Sequence, residues 1–199
     1  RNSGPLCRAH KVAHRPRGMG SWNKKRKPRS RTRRSVIVGV DNGLDGGLCA
    51  IAQFDGKLID KIAMPCHQRS KKREVDIHKV SKWLLDFNTP FVLAIEEPLA
   101  HARSSQAMRS MAISFGKLLG MAECKDFEVA RISVHKWQKK MLGFIPKGKT
   151  KQVALEIAST MEPSENWLKN KRCSTPHDGL IDAFLVAHYY RNGQPQEKN

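Results

Sequence analysis

The sequence predicts an α/β fold: a mixed five-stranded sheet, three antiparallel strands followed by parallel strands, with helices on both faces. Three observations predict it. A β-branched run at 36–40 opens a series of three strand-like runs separated by Gly-rich turns. Two later apolar or β-branched runs, at 91–95 and 127–132, are each followed by helical periodicity. A long Ala-rich apolar segment then closes the folded part of the chain.

Each element follows from local composition. VIVGV (36–40) reads as a buried strand, and NGLDGG (42–47) as the turn after it. LCAIAQF (48–54), the turn Asp55-Gly56 and KLIDKIAM (57–64) complete an antiparallel meander. Residues 74–87 set Val75, Ile77, Val80, Leu84 and Leu85 at helical spacing. FVLAI (91–95) is a second fully apolar strand, 104–122 a Met/Ala/Leu-rich helix and FEVARI (127–132) a further strand. Helices are expected at 134–142 and 150–161, and a last one over 177–191, entered through Pro176. EPSENWLKNKRCST (162–175) reads as an outer loop. Three antiparallel strands followed by alternating helices and strands give a mixed sheet with helices on both faces. No internal repeat is present.

The 199 residues suffice for one domain with a proper core. Net charge is +19, unevenly placed: residues 1–35 hold 13 Lys or Arg and no acid, leaving +6 on residues 36–199. The expected organisation is a basic, disordered tail over 1–35, a domain over 36–191 and a polar tail over 192–199. Such a tail neutralises phosphates without reading sequence; a solubilising or targeting extension is the plainer alternative. KKRKPRSRTRR (24–34) also has the composition of a nuclear import signal, and Met19 is a candidate natural start. Five cysteines without a CxxC pair argue against a disulfide framework and for a reducing compartment. Cys7, His10 and His14 form only a weak zinc set. No apolar run reaches the roughly 20 residues of a membrane span, and no apolar signal-peptide core follows the N-terminus. The expectation is an intracellular protein that works with DNA.

Four acids stand where buried elements end. Asp41 directly follows VIVGV, and Glu96 directly follows FVLAI. Asp178 and Asp182, four apart, share a face of the last helix. Convergent carboxylates repel and raise one another's pKa, a conflict that a divalent cation resolves. Oxygen ligands without Cys or His point to magnesium or manganese. Two such ions about 3.5–4 Å apart can support in-line phosphodiester hydrolysis. An Asp after a strand is also an ordinary turn residue, and Asp178 alone would be a common helix N-terminal charge. Asp45, Asp55, Asp60 and Glu97 read as turn or surface acids.

These motifs resemble those of the RuvC-type Holliday junction resolvases, members of the RNase H-like superfamily. GVDNGLDGGLCAI is similar to their first-strand motif, AIEE to the Glu closing the fourth strand, and HDGLIDAFLVAHYY to their terminal helix. His177 to Ala183 matches the HDG-x-x-acid-Ala pattern of the phage and organelle branches. The resemblance spans about residues 36–191. It implies Asp41, Glu96, Asp178 and Asp182 as catalytic metal ligands for two magnesium (or manganese) ions, with His177 as a candidate substitute. It further implies a structure-selective endodeoxyribonuclease acting on four-way DNA junctions in recombination and repair, working as a homodimer without a small-molecule cofactor. Departures are Asn42 where the family often has Pro, a spacing of four rather than three between the last acids, and Pro98-Leu99 where some relatives carry an aromatic wedge.

Expected DNA contacts lie on two segments. Arg103, Ser104, Ser105, Gln106 and Arg109 open the helix after Glu96 and can donate to phosphates; a solvated helix start is the plain alternative. Lys136, Lys139, Lys140, Lys147, Lys149 and Lys151 form a basic clamp with Trp137 and Phe144 between them. Trp137 reads as a core anchor before a stacking platform, and GKT (148–150) lacks the context of a Walker A loop. Met108, Met111, Phe115, Leu118, Leu119 and Met121 read mostly as core, while Gly116 and Gly120 would let two copies of this helix approach. Two other readings stay open: an RNase H-like nuclease on RNA/DNA hybrids or flaps, and a non-catalytic RNase H-like module that only binds nucleic acid.

Overall fold

Three strands meander first: β1 (Val36–Asp41), β2 (Gly47–Ala52) and β3 (Leu58–Ala63) pair antiparallel in sequence order. The computed structural model of the chain describes residues 35–69, 72–98 and 104–193. β6 (Phe91–Glu96) adds to the free side of β1 in parallel, and β7 (Glu128–Ile132) adds in parallel to β6. The sheet order is therefore β3-β2-β1-β6-β7, with β1 at the centre. The expected mixed five-stranded sheet is the one observed.

Alternation along β1 divides the core into two halves. Val36, Val38 and Val40 face one side, together with Leu93 and Ile95 of β6. That side is covered by α1 (Ile77–Leu85) through Val80 and Leu84 and by α2 (Ser105–Cys124) through Leu118, Met121 and Ala122. Ile37, Cys49, Ile51 and Ala94 face the other side. There α3 (Val134–Leu142), α4 (Thr150–Met161) and α5 (Asp178–Gly193) pack. α5 lies directly on β1 and β2 and also touches α3 and α4. Its residues from Gly179 to Ile181 and from Ala183 to His188 are all buried, as expected for a helix covered all round.

Gly39 explains how closely α5 approaches. A Cβ there would overlap the Ala183 carbonyl oxygen and stand 2.6 Å from the Ala187 nitrogen, so only a glycine lets the helix backbone lie on the central strand.

Two expectations need correction. Residues 74–75 belong to a strand and not to the first helix. A hairpin of β4 (Cys66–Arg69) and β5 (Lys72–Val75) stands apart from the main sheet, and α1 begins only after Asp76, whose carboxylate accepts from Lys79 N at 3.1 Å. The segment 162–175 is more than an outer loop. Trp167 is fully buried, 4.8 Å from the Phe184 ring, with a φ of 56°. Lys61 reaches back to it, pairing with Glu165 at 3.0 Å and lying over the Trp167 ring at 5.9 Å. Trp137 is fully buried, as a core anchor should be. No described helix is long and apolar enough to cross a membrane.

Candidate active site

The parallel register of β1 and β6 pairs Val40 with Ile95, so Asp41 and Glu96 are the next residues on two adjacent strands. Period-two alternation turns both side chains toward the α5 side, in line with Ile37 and Gly39 on one strand and Ala94 on the other. The strand ends are tied together. Asn42, completely buried, donates its Nδ2 to the Glu96 carbonyl oxygen. Gly43 N donates to Asp41 Oδ1 at 3.0 Å and Gly46 N to the Gly43 carbonyl at 2.9 Å, closing the turn after β1.

That turn also receives α5. Gly46 and Gly179 form an isolated parallel bridge. A Cβ on Gly179 would overlap Gly46 Cα and lie 2.5 Å from the Asp45 carbonyl oxygen. Two glycines in contact thus dock the first turn of α5 on the end of β1, which sets Asp182, one turn on from Asp178, beside Asp41.

The electrostatics record the crowding. Glu96 is raised from 4.5 to about 8, first by burial and then by the Asp41 and Asp182 charges, against the Trp137 hydrogen bond. Asp182 is raised from 3.8 to about 7 by burial, then by Asp41 and Asp178, with Lys151 opposing. Asp41 is raised chiefly by burial, with Gly43 N–H opposing. Asp41, Glu96 and Asp182 therefore act on one another as a group, with Asp178 at its rim.

Two side chains hold members of this group. Trp137 Nε1 donates to Glu96 Oε2 at 2.8 Å, and Lys151 Nζ pairs with Asp178 Oδ2. Among the described residues, no three His, Cys, Asp or Glu side chains close on one point as a metal cluster. Asp41 accepts from Gly43 N, Glu96 from Trp137 Nε1 and Asp178 from Lys151 Nζ.

His177 stands beside this group, at the start of α5. Its Nδ1 accepts from Leu180 N at 3.3 Å, its carbonyl accepts from Leu180 N and Ile181 N at 3.0 and 3.3 Å, and its pKa is lowered by burial and by Lys169. One ring nitrogen thus serves the helix start.

Of the expected DNA contacts, Arg103 lies outside the described residues. The Ser104 hydroxyl caps α2, accepting from Ala107 N at 3.0 Å, while Ser105, Gln106 and Arg109 are exposed. Lys136, Lys139, Lys140, Lys147, Lys149 and Lys151 are all exposed. Lys140 lies over the Tyr189 ring at 5.6 Å. Sequence reasoning missed Asn42, and it missed Trp137 as the partner of Glu96. The available signal was position: Asn42 directly follows Asp41, and Trp137 lies one turn beyond β7.

No family model matches this chain, and no curated protein matches it. Among solved structures, Thermus thermophilus RuvC in complex with Holliday junction substrate superposes with a TM-score of 0.54 at 16% identity, covering 80% of this chain and 96% of that one. A second structure of Thermus thermophilus RuvC gives a TM-score of 0.48 at 13% identity, covering 79% and 95%. The first likeness spans nearly the whole neighbour and most of this chain. The chain has the RNase H-like fold of the RuvC type.

Proposed function

We propose that this protein is a metal-dependent endonuclease that resolves four-way DNA junctions by hydrolysis at Asp41, Glu96, Asp178 and Asp182. One observation carries the reading: adjacent parallel strands end in Asp41 and Glu96 in register, and α5 brings Asp182 into the same electrostatic group. A chain evolved only to bind DNA gains nothing from crowding three carboxylates at the cost of their desolvation. The RuvC-like fold, found in a protein solved with Holliday junction DNA, supports the substrate.

The donor chemistry fits a hard divalent cation. The candidate ligands are all carboxylate oxygens, and burial first, then neighbouring acids, raises the pKa values of Asp41, Glu96 and Asp182. Asp41, Glu96 and Asp182 would hold the ion or ions, with Asp178 completing the set once released by Lys151. Bound there, divalent cations supply Lewis-acid stabilisation of the phosphoryl oxygens and an activated water. Trp137 orients Glu96, and Asn42 fixes the strand end that carries it. Lys151 and the exposed lysines of α3 and of the segment before α4 bind the backbone around the cut.

A homodimer suits a four-way substrate with two strands to nick. In support, α2 exposes Arg109, Ala112, Ile113 and Gly116 at helical spacing, and a Cβ on Gly116 or Gly120 would meet nothing within 4 Å. The setting this reading implies is intracellular DNA recombination and repair.

The test is cleavage of a labelled four-way junction beside linear duplex and RNA/DNA hybrid, with magnesium or EDTA. The reading expects paired nicks on the junction alone, lost with EDTA. Cleavage of the hybrid would change the substrate, and junction binding without cleavage would leave a binding module.

A further inference from the structure

The segment between α3 and α4, residues 143–149, joins two helices that each touch the candidate acids: α3 through Trp137 on Glu96, α4 through Lys151 on Asp178. The segment is held on both sides of Phe144. Leu142 is buried, Ile145 packs against the core, and Lys149 N donates to the Pro146 carbonyl at 3.0 Å. Gly143 and Gly148 adopt φ of 64° and 78°, the left-handed region that shapes tight turns.

Between these anchors Phe144 is 90% exposed, more than any other large hydrophobic residue described as exposed. The ring contributes little to the fold it stands on. A single exposed apolar side chain is common, so its setting decides what it is for. From Val129 to Leu155 the sequence holds seven Lys or Arg and no Asp or Glu. Lys139, Lys140, Lys147 and Lys149 are exposed on either side of Phe144. An occupant of this surface must therefore be anionic and must also present a flat apolar face. A nucleobase on its phosphate backbone meets both demands, because every base has a π-face on which an aromatic ring stacks. A fully paired duplex hides those faces within its stack, whereas a branch leaves bases at the crossing with a face free.

We propose that Phe144 stacks on a nucleobase left unstacked at a DNA branch while Lys147 and Lys149 hold the flanking phosphates. The assignment rests on the nuclease reading for its choice of DNA over an acidic protein. It gives the basic segment a role beyond charge neutralisation: preference for distorted over regular DNA.

The test uses the full chain in EDTA, where no strand is cut. Binding is measured to a four-way junction carrying 2-aminopurine at the crossing and to a paired duplex of equal length. Phe144→Ala is expected to weaken junction binding roughly tenfold and abolish the 2-aminopurine signal, leaving duplex binding within about twofold. Phe144→Trp should restore both. Because the side chain is exposed, neither variant should disturb folding, which circular dichroism checks. Equal binding by Phe144→Ala and the parent overturns the proposal, as does an equal loss on junction and duplex. Unchanged DNA binding with loss of self-association in sedimentation would also overturn it, in favour of a protein contact. Failure of the parent to nick junctions in magnesium, with the Phe144 effect intact, would remove the resolvase reading and leave the stacking role standing.

Discussion

Glu96 and Asp182 keep their protons to about pH 8 and about pH 7, because burial and neighbouring carboxylates disfavour the anions. Unfolding returns them to ordinary values near 4.5 and 3.8. Between those limits the folded state binds more protons than the unfolded state, so metal-free stability is full below about pH 4 and declines as pH rises through 7 and 8. Thermal melts in EDTA should therefore show Tm falling from pH 5 to pH 8.5. Glu96→Gln should flatten that decline and raise Tm at pH 8 by a few degrees, roughly 2–4 °C for each kcal/mol of relief. A Tm that is flat or rises over this range would contradict the crowding. At this scale the sequence is informative where a strand simply ends in an acid, as at Asp41 and Glu96. It is silent where a contact is made across the fold. Nothing in residues 134–142 says that Trp137 will reach Glu96, because that depends on β7 lying beside β6.

At the scale of elements, the docking of α5 decides whether the acids meet. Gly39 and Gly179 admit no side chain toward the surface they face. Gly39→Ala and Gly179→Ala should each cost about 1–3 kcal/mol or more as an overpacked contact, lowering Tm by several degrees in scanning calorimetry. Cleavage should fall further than stability does, since Asp182 would shift away from Asp41. A Gly39→Ala protein with full activity and unchanged Tm would show that α5 packs elsewhere. β1, β6 and α5 are legible in the sequence because they are apolar and bounded by Gly or Pro. The β4–β5 hairpin is not. Its CHQR and KREV strands are polar, lie off the main sheet and bury only Val75 completely, so backbone pairing holds them without an alternating pattern. Val75 and Ile77 then imitate the start of a helix that the Asp76 cap delays. Trp167 escapes in a similar way: one apolar residue in a polar segment carries no periodicity, yet it packs on Phe184.

The whole molecule separates a mildly basic domain from a strongly basic segment. Residues 1–34 carry all 13 basic charges of the first 35 residues, and their contribution is readable from charge alone. Their removal should lower the slope of log binding constant against log salt, by roughly 0.9 for each phosphate they neutralise. The position of the nicks should not change, because the acids and Phe144 remain. An unchanged salt slope would assign the residues a role away from DNA. The most direct measurement is junction cleavage in magnesium by the parent, Asp41→Asn, Glu96→Gln and Asp182→Asn, with junction binding followed in the same samples. The account predicts symmetric paired nicks by the parent and a loss of roughly 10³-fold or more in each variant, with binding retained. Full cleavage by Asp41→Asn or Glu96→Gln, or no cleavage by the parent with any divalent ion, would contradict it.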